Sequence, residues 1–286
     1  MEVTADEMMV VCIARQITDG EIVAQGLATP LVAAAYLLAR HTHAPNLYFA
    51  SAIGQSVCRH PAPLGLSRVE SLWLDQSMLS VGFVRAVADV LPRLAPKEFF
   101  RPAQVDPHGN FNNIAFGKNY LSSGRHQPRL RLPGSGGIPD VTNFSNEVYL
   151  YVPRHSKVTF VTALDVCSGL GYSPKRTHGK GPRYLVSDLG QFDFTPRNKA
   201  SIDPSAPPEI FLRLTSYHPG IRIEQIQAHT GFPLEISPQV HPTPLPTPEE
   251  LSLLREVIDP LGIRRLEFLG GAARRQLLHE MSLQEC

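Results

Sequence analysis

Apolar positions recur along this chain at two spacings, and the first of them is helical. Thr4 and Glu7 make a capping box ahead of the apolar series Met9, Ile13, Ile17, and Asp19-Gly20 closes it, which predicts a helix over 5–18. Residues 21–27 (EIVAQGL) have the length and composition of a buried strand. Thr29-Pro30 then offers an N-cap and a proline at the first helical position, and LVAAAYLLARH continues as a helix. A second strand is predicted over 47–53 (LYFASAI). One helix between two strands implies a right-handed parallel crossover, and such sheets bind ligands beyond the carboxyl ends of their strands. The loops 26–30 and 51–55 are therefore expected to face the site.

Further along, the pattern predicts a helix over 77–92 and a strand over 98–105 that ends in the turn Asp106-Pro107-His108-Gly109-Asn110. Residues 130–133 read as a strand feeding Gly134-Ser135-Gly136-Gly137, with a helix following near Val141. The runs 148–152 and 158–163 are β-branched or aromatic, and 183–194 (RYLVSDLGQFDF) reads as a hairpin turning at Asp188-Leu189-Gly190. Residues 196–210 read as a surface connection, and a late helix over 221–230 stops at Gly231. Residues 238–248 (PQVHPTPLPTP) read as an extended, proline-rich spacer before a terminal helix capped by Thr247-Pro248-Glu249-Glu250. The fold class is α/β: one domain over 1–286, with an open, mainly parallel sheet, flanking helices and a hairpin-containing C-terminal part.

Composition narrows the function classes. The chain has 286 residues, 43% hydrophobic and 19% charged, enough for one large α/β domain or two small ones. A formal net charge of +1 gives no long-range attraction to nucleic acid or to an anionic membrane surface. The acidic start has no basic n-region, and no apolar run reaches the ~18 residues that span a bilayer, so a cytoplasmic location is expected. Cys12, Cys58, Cys167 and Cys286 are scattered and read as reduced thiols. His41-x-His43 has no carboxylate at ligand spacing, so no metal site is expected. The stretch Gly54-Gln55-Ser56-Val57-Cys58 lacks the second glycine of a nucleophile elbow.

Three stretches have side chains or backbone suited to a ligand. Gly134-Ser135-Gly136-Gly137 can turn its backbone N–H groups toward a thioester oxyanion or a phosphate, although on spacing alone a glycine cluster is more often a turn. The segment 106–112 either holds side chains at a site or shapes the turn after its strand. The basic set Lys175, Arg176, His178, Lys180 and Arg183 either meets the phosphates of a nucleotide tail or forms a solvated loop.

The order of short signatures carries a resemblance. It runs from Ala14-Arg15-Gln16-Ile17 and Gly26-Leu27-Ala28-Thr29-Pro30-Leu31 through Ala44-Pro45-Asn46 to residues 103–112 (AQVDPHGNFN). Gly134-Ser135-Gly136-Gly137, Ser187-Asp188-Leu189-Gly190, Thr230-Gly231-Phe232 and Ile258-Asp259-Pro260 complete it. Over nearly its whole length the chain resembles the β-subunit of glutaconate CoA-transferase and its relatives in the family I CoA-transferase superfamily. The resemblance implies the CoA-transferase fold, an acyl-CoA substrate that brings coenzyme A with it instead of a separate cofactor, and an α-subunit partner in an αβ or α2β2 complex. It assigns Gly134, Ser135, Gly136, Gly137 and Asn110 to the pantetheine end and thioester oxyanion, and Thr29, Ser51 and Ala52 to the catalytic loops.

In transferases of this family a glutamate in the second loop attacks the acyl-CoA, giving an anhydride and then an enzyme-bound CoA thioester. Here Ala52 stands in its place, and no carboxylate occurs between Asn46 and Glu70. Alanine cannot form an anhydride. Two branches of the superfamily lack this nucleophile as well: the ring-cleaving hydrolases of bacterial steroid catabolism and a cofactor-free methylglutaconyl-CoA decarboxylase. Residues 161–172 (VTALDVCSGLGY) resemble the hydrolase β-subunit more than the transferase. The resemblance therefore implies a C–C bond-cleaving hydrolase whose α-subunit supplies key catalytic residues. The alternatives are a decarboxylase subunit, a transferase whose nucleophile comes from the α-subunit or Glu70, and a non-catalytic scaffolding subunit.

Overall fold

The computed structural model describes residues 2–26, 29–51, 55–67, 73–117, 128–173, 176–196 and 209–285. They divide into two compact units: Met1–Phe99 with Pro244–Cys286, and Phe100–Thr243.

The first unit begins with the capped helix that the sequence predicts. In α1 (Ala5–Ala14) the Thr4 N–H donates to Glu7 Oε2 at 3.0 Å. The helix stops short of residue 18 because Gln16 and Ile17 bond to the carbonyls three residues back, tightening the last turn. Met8 to Ala14 are all buried, so the helix lies inside the unit and has no solvent stripe. β1 (Ile22–Gln25), α2 (Pro30–His41) and β2 (Tyr48–Ser51) then make the parallel crossover, in register from Ile22 opposite Tyr48 to Gln25 opposite Ser51. β3 (Ser56–Cys58) and β4 (Leu79–Ser80) add antiparallel strands beyond β2. β5 (Lys97–Phe100) lies parallel on the other side of β1, with Ala24 opposite Glu98. The helix predicted over 77–92 begins later, because Leu79 and Ser80 pair with Val57 and Ser56; three short helical segments follow over 83–94.

The unit is closed by charge. Glu7, 3% exposed, accepts two hydrogen bonds from Arg255, at 2.6 and 2.8 Å, and one from Arg264 at 3.3 Å. Arg264 also donates to Asp259 Oδ2 at 2.9 Å, and its Nε lies 2.7 Å from Asp6 Oδ2. Asp259 in turn accepts from the backbone N–H groups of Ile263 and Arg264. Burial alone would raise the Glu7 carboxyl, but the hydrogen bonds from Arg255 and Thr4 outweigh it and bring it down to about 2. The terminal helix has its expected cap, Glu250 N–H donating to Thr247 Oγ1 at 3.1 Å. It is broken, however, after Ile258, and the last helix is Gly271–Glu285.

In the second unit β6 (Gln104–Val105) and β7 (Phe111–Asn112) form a short hairpin, and β8 (Ala115–Phe116) pairs with β9 (Leu130–Arg131). α3 (Ile138–Phe144) follows the glycine loop as predicted, and β10 (Val148–Val152) is buried along its whole length. β11 (Pro182–Ser187) and β12 (Gly190–Pro196) are the predicted hairpin, with Leu185 opposite Phe192, and β10 runs parallel to β11. β13 (Ile210–Tyr217), which the pattern did not predict, pairs with β12. α4 (Ile223–His229) follows.

Two expectations are corrected here. The first part of the proline-rich spacer, residues 238–242, is the end of a strand, β14 (Glu235–Pro242), parallel to β13. Lying at the end of the strand order, it needs ladder bonds on one side only, which its prolines tolerate. Residues 158–163 form no strand, only a bridge between Phe160 and Val105, and the Phe160 ring instead fills the core with Phe111, Phe192 and Leu214. Residues 197–208 of the predicted surface connection lie outside the described residues. Among the described residues no helix is long and apolar enough to cross a membrane.

The Glu7 cluster sets a pH dependence. A carboxyl whose folded value lies below its usual 4.5 contributes stability that is complete above that value and is lost as pH falls from 4.5 toward 2. Glu7→Gln is expected to lower the unfolding free energy at pH 7 by about 3 kcal/mol, with the gap to wild type shrinking below pH 4. Urea titrations of both proteins at pH 7 and pH 3.5 measure it; equal stability at pH 7 would refute the clamp.

Candidate functional site

At the carboxyl ends of β1 and β2, Gln25 and Ser51 stand opposite one another, and Ser51 is 5% exposed. Pro30 takes the first helical position of α2 as expected. The Thr29 hydroxyl does not cap that helix; it lies 3.4 Å from the Gly26 carbonyl, to which it donates. The cap comes from far along the chain: Glu267, 2% exposed, accepts from the Leu31 N–H at 2.9 Å. Ala52 and Glu70 lie outside the described residues. Behind this edge the Tyr36 hydroxyl, on α2, donates to the carbonyls of Ala24 at 3.0 Å and Lys97 at 3.4 Å, tying β1 to β5.

The sequence pattern gave no sign of a carboxyl in this edge, yet Glu98 supplies one. It lies on β5 opposite Ala24, and its Oε1 is 3.6 Å from where a Cβ on Gly26 would stand. Burial pushes its carboxyl up to about 7. Its neighbour Lys97 does not compensate: that ammonium is held by Glu21 at 2.7 Å and by the Gln16 carbonyl at 2.6 Å. The buried thiols of Cys12 and Cys58 are pushed up to about 12, which leaves no thiolate there to act as a nucleophile.

The glycine loop lies in the second unit. Gly134, Gly136 and Gly137 have φ of 115°, 44° and 85°, and Gly137 leads into α3. A Cβ on Gly134 or Gly136 would meet nothing within 4 Å. Conformation, not crowding, requires glycine here, and the space beside the loop is open. Ser135 holds the turn, its carbonyl accepting from the Ile138 N–H at 2.7 Å.

The other signature residues bond to one another. Asp106 Oδ1 accepts from the N–H groups of His108 and Asn110, and its Oδ2 accepts from Asn110 Nδ2 at 2.9 Å. Asn110 Oδ1 accepts from the Gly171 N–H at 2.8 Å, so both ends of this amide are engaged within the protein. Asn112 Nδ2 donates to Gln104 Oε1 and to the Ala115 carbonyl, both at 2.8 Å. These bonds shape the turn that follows β6.

His155, which no motif singled out, joins two further signatures. It bonds Ser187 Oγ at 2.9 Å and Thr230 Oγ1 at 3.0 Å and stacks on Phe160 with ring centroids 3.7 Å apart. Thr230 gives its own proton to the Ile226 carbonyl, so His155 carries its proton on Nε2 and accepts from Ser187 at Nδ1. Burial pushes this imidazole down to about 3, and it stays neutral. Arg176, from the basic set, donates to the carbonyls of Gly171, Thr142, His178 and Leu170, and Arg183 pairs with Glu147 at 2.8 Å. Lys175 lies outside the described residues.

No family model matches the chain. The β-subunit of the 3-oxoadipate CoA-transferase of Pseudomonas knackmussii is 30% identical over 88% of this chain and 92% of its own. The IpdB subunit of the cholesterol ring-cleaving hydrolase of Rhodococcus jostii is also 30% identical, over 87% of this chain and 89% of its own. Among solved structures the decarboxylase AibA/AibB superposes with a TM-score of 0.73 at 30% identity, over 92% of this chain and 98% of that one. The parallel crossover and the glycine loop thus sit on a scaffold shared by transferase, hydrolase and decarboxylase subunits. The chain belongs to the family of CoA-transferase β-subunits.

Substitutions at two glycines separate the internal lock from the open loop. A methyl on Gly171 would collide with the Asn110 nitrogen and the His108 carbonyl oxygen, whereas one on Gly136 meets only the strain of positive φ. Gly171→Ala is expected to cost more than about 2 kcal/mol of unfolding free energy and Gly136→Ala about 1 kcal/mol. Chemical denaturation of each variant checks the order; a larger loss at Gly136 would contradict it.

Proposed function

We propose that this chain is the β-subunit of a two-subunit enzyme that acts on an acyl-CoA thioester and cleaves a carbon–carbon bond beside a carbonyl by hydrolysis. Ala52 carries the reading: at the position the resemblance gives to the covalent glutamate, this chain has a methyl group. Neither buried thiol is a substitute, because both are held protonated. The 30% identity to the cholesterol ring-cleaving hydrolase subunit supports the same direction. Coenzyme A enters as part of the substrate, with Gly134 to Gly137 assigned to its pantetheine end by the resemblance. An α-subunit, in an αβ or α2β2 complex, supplies the base that activates water, and developing negative charge is stabilised by N–H donors. A cytoplasmic setting fits the free Cys12, Cys58 and Cys167.

A second reading, acyl-CoA decarboxylation, is favoured by the likeness to the decarboxylase AibA/AibB. Both readings dispense with a covalent enzyme–CoA thioester, and this separates them from CoA transfer. The co-purified pair is expected to exchange no CoA between carboxylic acids and to form no hydroxylamine-sensitive adduct on intact mass spectrometry. Robust exchange with a trapped thioester would overturn the proposal, and carbon dioxide release without water addition would select the second reading.

A further inference from the structure

We propose that Glu98 is the proton donor this chain contributes at the carboxyl ends of β1 and β2, delivering a proton to the carbon that leaves when the substrate's C–C bond breaks. The inference rests on the reading of the site as one for acyl-CoA thioesters, and serves its hydrolytic and decarboxylative forms alike.

Glu98 is opposite Ala24, which is opposite Ala50 in β2, so one row across three parallel strands reads Glu, Ala, Ala. The two alanines are small and leave the carboxyl as the only polar side chain of the row. Gly26, two residues beyond Ala24, has no side chain to cover it, and a Cβ there would stand 3.6 Å from Glu98 Oε1. The loop that carries Thr29 begins at that glycine. The carboxyl therefore lies beneath the edge where sheets of this kind receive ligands.

Its chemistry follows from what does not reach it. Among the described residues no hydrogen bond or ion pair is made to the Glu98 carboxyl, and Lys97 is committed to Glu21. The residue is half-buried, and the protein packed around its carboxyl raises it to about 7. A carboxyl kept for stability would be paired, as Glu7 and Glu267 are. An unpaired one that is part acid and part base near neutrality is suited to passing a proton.

In the hydrolytic form, a base on the α-subunit takes a proton from water as the water oxygen bonds to the carbonyl carbon. The C–C bond beside that carbonyl breaks with its electron pair passing to the departing carbon, and Glu98 gives that carbon its proton. The proton held by the base returns to Glu98 through solvent, so one water is consumed. In decarboxylation the same donation follows loss of carbon dioxide, without water addition.

The test uses the complex with its α-subunit and acetyl-CoA as the probe. Carbodiimide with an amine nucleophile, which labels protonated carboxyls, is expected to label Glu98 at pH 7, and acetyl-CoA to suppress that label several-fold. Solvent deuterium is expected to enter the α-carbon of acetyl-CoA, and Glu98→Gln to slow that entry at least about a hundredfold. The Glu98→Gln complex is also expected to melt no lower than wild type at pH 8, because the amide removes an unpaired charge; a structural role would lower it. No label at Glu98, equal labelling with and without acetyl-CoA, or unchanged deuterium entry in the variant would each overturn the inference. The labelling does not depend on which acyl group is cleaved, so it can fail while the absence of CoA exchange still holds.

Discussion

The first unit is made of two chain segments far apart in sequence, and buried charge joins them. Glu7, from the first helix, is held by Arg255 and Arg264, and Arg264 is held by Asp259. Removing either sign would leave the other buried and unpaired, which costs far more than an exposed ion pair contributes. The returning segment also carries Glu267, whose carboxylate caps the N-terminus of α2 next to Thr29. The loop after β1 is therefore positioned by residues near the other end of the chain, and the site depends on the clamp being closed.

Charge is handled in opposite ways within the same unit. Glu7 has so many donors that its carboxylate is stabilised far below the usual value, whereas the Glu98 carboxyl has none among the described residues and is pushed upward by burial. The first arrangement favours folding above the carboxylate range. The second works against folding at neutral and higher pH, and a group that weakens the fold in this way is a mark of function.

Much of the fold was legible in the sequence because local signals and tertiary demands agreed. The capping box of α1, the proline opening α2 and the turn at Asp188-Leu189-Gly190 each mark their element directly. Where they disagreed, the pattern misled. The prolines of 235–242 look like a spacer but are tolerated at the end of a strand order, and the apolar run 158–163 supplies a core ring, Phe160, without forming a strand. The site was legible only in part. Ala52 could be read directly, but Glu98 lies outside that loop in sequence and reaches this edge from a neighbouring strand through the parallel pairing of β1 and β5. The signatures that identify the family, Asp106, Asn110, Ser187 and Thr230, are engaged in internal hydrogen bonds, so they specify the scaffold more than the reaction.

The central claim is that thioester chemistry takes place at the carboxyl ends of β1 and β2 without a covalent link to this chain. A structure of the complex with its α-subunit and a bound acyl-CoA tests it most directly. The account predicts an intact thioester at that edge, its acyl portion within hydrogen-bonding reach of the Glu98 carboxyl. A thioester bound away from the edge, or density joining coenzyme A to a side chain of this subunit, would contradict it.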